Sequence, residues 1–482
     1  MKHDAHGWWL AEAGQVAPAP PLRGDQRADV VIVGGGYAGL WTAWQLLRRG
    51  ASVALLEADV SGHGPSGRNG GFAETLWTNL PDLVERFGPE RALAAARASE
   101  DSVAQIGAWC EAEGVDAWFK PKGFLLVSAA AAQDEVLDRL EAAARDAGVA
   151  GGATATEPGV AGGTTATAPG GAVAPLVALD RAATRARCAS PLFRRAVYAP
   201  GDATVHPARL ALGLRERVMR AGARVFEHSR VRALRAGPGE VLAQTEGGSV
   251  RAGAAVLAVN AGTRGFRPLR HRLAVTSSHI VLTEPVPDVL EQLGWSGGES
   301  ITDCRTFVHY FRTTNDGRIV FGWGGGPFAF GARLGGRVER DATTVERTAA
   351  HLREFFPQLE GRALTHAWGG PIDVSPSHLP QVGTLDGAPV HYAFGFTGNG
   401  VGPCHLAGRI LAALASDDTP EVQLPGGDPP PVPPEPLAWA GGMAVRAAFL
   451  RKERIEADGH RPDLLTRAVC AAPKALGVHV SR

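Results

Sequence analysis

The chain has 482 residues, and its 49 Lys+Arg balance its 49 Asp+Glu. That length can hold two domains' worth of core, and zero net charge gives no basic field for nucleic acid or an anionic membrane. The five scattered cysteines (Cys110, Cys188, Cys304, Cys404, Cys470) form no CxxC pair or disulfide framework, which fits a reduced, cytoplasmic protein without a metal centre.

Residues 1–27 read as an N-terminal arm. Its start, MKHDAHGWWLAEAG, lacks the apolar run of a signal peptide, and Trp8 and Trp9 are expected to anchor it. No uninterrupted apolar stretch in the chain reaches the ~18–20 residues that span a bilayer.

The next stretch, ADVVIVGGGYAGLWTAWQLLRRGASVALLE (28–57), is the most informative. Residues 30–33 form a β-branched strand. Leu40, Ala43, Trp44 and Leu47 then repeat at helical spacing, and 52–56 is a second strand ending at Glu57. Gly34, Gly36 and Gly39 lie between strand and helix with Tyr37 and Ala38, in the order GxGxxG. Gly34 permits the tight turn, Gly36 lets the backbone approach a pyrophosphate, and Gly39 lets the helix lie close on the sheet. The helix N-terminus offers free N–H groups and a positive dipole end to phosphates. Glu57, followed by Ala58, can accept hydrogen bonds from a ribose diol. The fingerprint predicts a dinucleotide site and by itself leaves NAD and FAD both open.

A glycine-rich loop, SGHGPSGRNGGF (61–72), follows, and then helices through 80–147 with a strand at 123–128 between them. Residues 147–179 are nearly uncharged and repeat GGATAT as GGTTAT, so they read as a surface insertion. Residues 203–221 predict a helix, and 222–231 and 254–259 predict strands. The alternation of β-branched and aromatic residues over 271–335, with a turn at Asn315-Asp316-Gly317, predicts an antiparallel sheet. Residues 341–356 predict a helix. From Trp368 the pattern becomes loop-rich, up to a glycine bend and helix at 395–414. A polyproline spacer (425–436) and a basic helical tail end the chain, the tail reading as a surface packing strap.

Four pieces together resemble the flavoenzyme superfamily of glycine oxidase, sarcosine oxidase and D-amino-acid oxidase, with the look of its gamma-glutamylputrescine oxidase branch. They are the fingerprint with Glu57; Ser66-Gly67-Arg68-Asn69-Gly70-Gly71; VHPARLALGLRERVMRAGARVFEHSRV (205–231) with AVLAVNAGT (255–263); and WGGPIDVSPSHLPQVG (368–383) leading to GFTGNGVG (395–402). The resemblance implies an α/β fold: an FAD-binding Rossmann-type domain built from 28–80, 196–268 and 366–420, a substrate domain from 81–195 and the antiparallel sheet of 269–365, and the tail 421–482 outside both. It implies FAD as cofactor. Val231 would pair its backbone with adenine, and Ala261 and Gly262 would lie beside the nucleotide. Arg68 would supply a fixed charge, and Gly70 and Gly71 would let main chain lie against the isoalloxazine. Gly398, Asn399, Gly400 and Val401 would bring a helix N-terminus to the edge that becomes negative on reduction.

The resemblance further implies oxidation of a carbon–nitrogen bond, with hydride passing to flavin N5, release of an imine that hydrolyses, and reoxidation by O2 (giving H2O2) or another acceptor. Amino-acid-oxidising relatives carry an arginine shortly after the position of Trp368. Here the stretch reads Trp368-Gly369-Gly370-Pro371-Ile372-Asp373, which favours an amine substrate. Asp373 either faces a cationic nitrogen or caps a turn, and Arg305 or Arg312 could clamp a carboxylate from another strand. The cysteine that tethers flavin in sarcosine-oxidase relatives is absent from this stretch, so non-covalent FAD is expected; His63 is the nearest other tether. Cys404, at a helix start, is either a thiol of lowered pKa or a buried structural one. His279, Tyr310, Trp323 and Trp368 are candidate pocket walls. A flavin monooxygenase would need a second nucleotide site, and FGWGGG (321–326) does not open onto a helix. A non-catalytic flavoprotein using its tail for partners is the third reading.

Overall fold

The computed structural model describes residues 2–3, 6–151, 175–237, 239–422, 424 and 430–479. Most of the expected insertion (152–174) and the start of the proline spacer (425–429) lie outside the described residues.

Two sheets organise the chain. In the first, Gly24–Val33 lies between Val53–Leu56 and Gly248–Leu257. All three run parallel, and the sheet is extended by Arg224–Phe226 on one side and Val390–Phe394 on the other. The first strand is longer than the predicted 30–33, because residues from Gly24 onward pair with 248–252. The strand predicted over 222–231 shortens to Arg224–Phe226. Parallel strands buried on both faces read as continuous apolar runs, as Val30–Val33 and Val53–Leu56 do. One face carries the helices Tyr37–Arg48, Pro207–Arg220 and Val401–Ala415. The helix Tyr37–Arg48 buries Leu40, Trp41, Ala43 and Leu46, while Trp44 and Leu47 pack only partly. It is covered on a second side by Val401–Ala415, where Gly408 lies against the backbone of Trp41 and Thr42.

The second sheet has ten strands, and its centre is Leu364–Val374, Ala274–Thr283, Ile319–Trp323 and His309–Thr313, antiparallel throughout. The predicted hairpin at 315–317 joins the last two in sequence. The stretch from Trp368 is a strand rather than loop. Gly369, Gly370 and Pro371 hide it in the sequence, and Pro371 is tolerated because its outer neighbour, Lys2–His3, pairs only with His366 and Ala367. Helix Ala342–Phe355 covers one face of this sheet. The other face looks toward the nucleotide sheet.

The arm is a helix, Gly7–Ala13, whose Trp8 and Trp9 are buried against Trp368, Ile280 and Leu212, as expected of anchors. Next to it, the fully buried Glu227 carboxylate accepts from Ala19 N (2.7 Å), Ser61 N (2.9 Å) and both Nε (2.7 Å) and Nη2 (2.8 Å) of Arg215. These bonds hold the carboxyl below its ordinary range against the opposing effect of burial. Arm, glycine-rich loop and helix 207–220 therefore meet on one charge. Glu227→Gln leaves the Arg215 guanidinium without its counter-charge and is expected to cost about 3–5 kcal/mol. Urea unfolding at fixed FAD measures it, and a loss below about 1 kcal/mol would show the pair to be dispensable.

In the tail, Leu437–Ala457 packs Phe449 against Phe307, and Arg446 Nε donates to the carbonyls of Gly325 and Gly326 at 3.0 Å. No helix among the described residues is long and apolar enough to cross a membrane.

Candidate flavin and substrate site

The fingerprint turn is built as its glycines require. Gly34 has φ +110°, and a Cβ there would lie 2.3 Å from Ala258 O; one on Gly39 would lie 1.9 Å from Gly34 O. The N-terminus of helix Tyr37–Arg48 has no side-chain cap: Gly36 stands there in extended conformation. The turn is locked from below. Gly35 N donates to Glu57 Oε2 (2.7 Å), Asp59 N donates to Glu57 Oε1 (2.9 Å), and Tyr37 N donates to Ser66 Oγ (2.9 Å). Burial pushes the Glu57 carboxyl up while these backbone N–H groups oppose the shift. Ser229 N donates to Glu57 O at 2.7 Å, and the half-buried Val231 lies two residues beyond Ser229.

In the loop SGRNGG, residues Pro65–Arg68 make one helical turn. Asn69 ties it: Nδ2 donates to the carbonyls of Pro65 (3.1 Å) and Ser66 (2.9 Å), and Oδ1 accepts from Gly71 N (2.7 Å). Gly71 has φ +77°, and a Cβ on it would meet Val205 O at 2.2 Å. Arg68 reaches Glu339 (3.7 Å), and its carbonyl accepts from Trp368 Nε1 (2.7 Å), fastening the loop to the second sheet.

The late bend is held by Asp373. Its carboxylate accepts from Gly395 N (2.6 Å), and its carbonyl accepts from Thr397 N (3.1 Å). Burial raises this carboxyl to about 7. Of the two roles weighed for Asp373, turn cap and contact to a cationic nitrogen, the geometry gives the first. Helix Val401–Ala415 starts uncapped at Gly400, and the buried Oδ1 of Asn399 has no hydrogen-bond partner. Behind it, Cys404 is fully desolvated, so burial pushes its thiol up and the lowered-pKa alternative falls away.

These pieces face one another. Gly36, Glu57, Ala58, Ser66, Arg68, Asn69, Val231, Gly262, Tyr310, Gly370, Ile372, Asn399 and Gly400 stay half-open although the elements behind them are buried, and Gly398 is exposed. Tyr37, Ala38, Gly67, Gly70, Gly71, Ala261 and Val401 form the buried backing. We take the half-open residues from the fingerprint past SGRNGG, where a Cβ on Gly70 would lie 3.1 Å from Tyr310, to the bend at 398–400, where one on Gly398 would lie 3.7 Å from Ile372, as one candidate groove beneath the second sheet. Its uncapped helix starts, close-lying glycines and orphaned amide oxygen fit an elongated dinucleotide.

Not every predicted wall residue lines this groove. Cross-strand pairs share a face. Tyr310 opposes Gly322, and Trp368 opposes Ile280; both face the groove side, Trp368 packing on the arm tryptophans. His279 and His309 oppose Trp323 on the other face. There Trp323 stacks on His309 (6.2 Å, 8°) and meets His351 of helix 342–355 edge-on (4.9 Å). His279 and Trp323 therefore belong to the helix-covered layer, a correction that strand register imposes. Arg305 is taken by Asp303 (3.4 Å) beside His309. Arg312 faces the groove side but is fully buried, its Nη1 donating to the carbonyls of Gly71 (2.9 Å) and Val205 (2.5 Å). Arg305 is therefore engaged, whereas the buried Nη2 of Arg312 has no hydrogen-bond partner among the described residues. His63 is half-buried beside His6 (5.9 Å). No sequence signal marks Ser278 or Glu339, which enter the site through tertiary contacts, or Asp59, which enters through its backbone bond to Glu57.

Comparison with known proteins agrees with this geometry. Residues 29–414 match the DAO family of FAD dependent oxidoreductases. The chain belongs to that family. It is an FAD-dependent oxidoreductase with FAD as its cofactor. It is 28% identical over 440 residues to the gamma-glutamylputrescine oxidoreductase of Escherichia coli (strain K12), covering 89% of this chain and 95% of that protein. A probable oxidoreductase OrdL of Rhizobium meliloti (strain 1021) is 26% identical over 469 residues, covering 92% and 95%. Among solved structures, glycine oxidase from Geobacillus kaustophilus superposes with a TM-score of 0.64 at 22% identity, covering 83% of this chain and 97% of that one, a likeness of fold. In this family member FGWGGG ends the strand Ile319–Trp323 and leads into no helix, so no second dinucleotide turn forms there.

Proposed function

We propose that this chain oxidises a carbon–nitrogen bond of an amine with non-covalently bound FAD. The single observation behind the reading is the half-open groove, which joins a phosphate turn, a glycine loop and an uncapped helix start beneath a sheet that offers a phenol. Bound FAD would supply the two-electron acceptor for the hydride that leaves the α-carbon, the imine product would hydrolyse, and O2 (giving H2O2) or another acceptor would take the electrons on.

The residues divide the remaining work. The N–H groups of Gly36 and Ala38 would take the pyrophosphate, the Tyr37 N–H being held by Ser66 Oγ, and Glu57 would take the ribose diol. The main chain of Gly70 and Gly71 would lie against the flat ring. Gly398–Val401 present a positive dipole end toward the edge that gains charge on reduction, an interaction stronger in the reduced state than in the oxidised one. Tyr310 and Ile372 wall the substrate side, where low polarity favours the neutral amine that the chemistry requires.

An amine is favoured over an amino acid because the stretch Trp368–Asp373 carries no arginine and Arg305 is paired with Asp303, which leaves Nη2 of Arg312 as the one nearby donor for a carboxylate among the described residues. Anaerobic mixing of the holoprotein with polyamines, gamma-glutamyl amines, N-methyl amines and glycine tests the reading. At least one amine is expected to bleach the flavin band. Glycine as the best reductant would overturn the preference for amines, and no bleaching by any member would overturn the reading itself.

A further inference from the structure

Tyr310 sits on the groove face of the strand His309–Thr313. Its ring lies over Gly322, where a Cβ would fall 2.0 Å from the ring, and it meets Phe72 edge-on at 5.7 Å. Its hydroxyl is 2.7 Å from Ser278 Oγ, and that same Oγ is 2.9 Å from the carbonyl of Trp323. A serine hydroxyl has one proton, and a carbonyl can only accept. The Ser278 proton therefore goes to Trp323 O, and the Tyr310 proton must go to Ser278. The phenol oxygen is left with lone pairs alone on its open side. On the same face of the sheet, Ser278 is cross-strand from the half-open Gly370, and Ile372, two residues on, borders Gly398.

Building on the amine reading above, we propose that the Tyr310 oxygen is the acceptor for a substrate N–H, fixed in that polarity by Ser278, and that this polarity turns away carboxylates. Tyr310 touches substrate; Ser278 is a positioning residue that acts through it. A carboxylate at this point would set lone pairs against lone pairs. Turning the phenol proton toward it would take away the donor that Ser278 Oγ now receives from Tyr310. An amine N–H suffers no such conflict. Its nitrogen keeps its lone pair free to assist departure of the α-hydrogen while the N–H bond fixes its orientation. The phenol keeps its proton across the working pH range, because burial pushes it up to about 12.

The test uses the FAD-loaded wild type, Ser278→Ala and Tyr310→Phe, with n-butylamine and butyrate as probes and the flavin spectrum as readout. Wild type is expected to bind or be reduced by butylamine and to bind butyrate at least about tenfold more weakly, the ratio set by one misplaced hydrogen bond. Tyr310→Phe should weaken butylamine by about tenfold. Ser278→Ala frees the phenol proton and should strengthen butyrate by about tenfold while weakening butylamine, a gain that mere loosening of the fold would not produce. Equal butyrate affinity in Ser278→Ala and wild type, or unchanged butylamine affinity in Tyr310→Phe, would overturn the proposal. Should both variants lose flavin, the wild-type preference decides alone: butyrate binding as tightly as butylamine overturns it. A wild type bleached by amines but indifferent to these changes defeats only this inference, whereas one that no amine bleaches defeats the reading beneath it.

Discussion

Gly39→Ala is expected to yield a protein nearly free of flavin. The added Cβ would sit 1.9 Å from Gly34 O, and that oxygen belongs to the backbone of the turn rather than to the far end of a flexible side chain. The helix Tyr37–Arg48 must therefore rise off the turn, carrying its free N–H groups away from the phosphates. Losing two hydrogen bonds to a charged group at roughly 1.5–3 kcal/mol each amounts to at least about a hundredfold in FAD affinity. Gly441→Ala is the matched control. It lies within helix Leu437–Ala457 with nothing within 4 Å of its would-be Cβ, and alanine there favours the helix. The flavin-to-protein absorbance ratio after purification, and fluorescence titration of the apoprotein, read the difference. A stoichiometrically yellow Gly39→Ala protein would mean that the pyrophosphate does not rest on this turn.

The contrast between these two glycines shows what sequence can and cannot convey. Gly39 is legible because its neighbours are local: strand, turn, helix and acid follow within thirty residues, and each carries its own period. The arm tryptophans were legible for a similar reason, as apolar bulk that demands burial. The strand Leu364–Val374 was not, since Gly-Gly-Pro masks the alternation and only its place at a nearly open edge makes the proline acceptable. Nor was the facing of the roof residues. His309 and Tyr310 are adjacent in sequence and lie on opposite faces, so the sheet's register alone separates Tyr310 over the groove from Trp323 under a helix. Glu227 and Ser278 are less legible still. Their partners lie between twelve and 208 residues away for Glu227, and 32 and 45 for Ser278, and no spacing rule connects them. The sequence could suggest Arg305 and Arg312 as clamps because it shows charge, but it could not show that Asp303, Gly71 and Val205 already engage them.

Asp373 supplies the second large effect, and its sign runs opposite to that of an ion-paired acid. Its folded pKa is raised to about 7 from an ordinary 3.8, chiefly by burial. A raised carboxyl stabilises the fold in full below its unfolded value, and that contribution is lost as pH climbs from about 4 through about 7. Three units correspond to on the order of 4 kcal/mol, spent above pH 7 on holding a buried carboxylate beside the bend at 395–398. Asp373→Asn keeps an oxygen that can accept from Gly395 N and removes the charge. The variant is therefore expected to match or fall slightly below wild type near pH 4, to exceed it by about 1.5 kcal/mol at pH 5 and by about 4 kcal/mol at pH 8, following the linkage above. Buried histidines with lowered pKa, such as His405 at about 3, add an acid-side loss of stability to both proteins alike. The comparison is thus the difference between the two unfolding curves at each pH, followed in urea at fixed FAD. Parallel curves from pH 5 to 8 would mean that the Asp373 carboxyl titrates normally, and that the bend does not tolerate its acid by keeping it protonated.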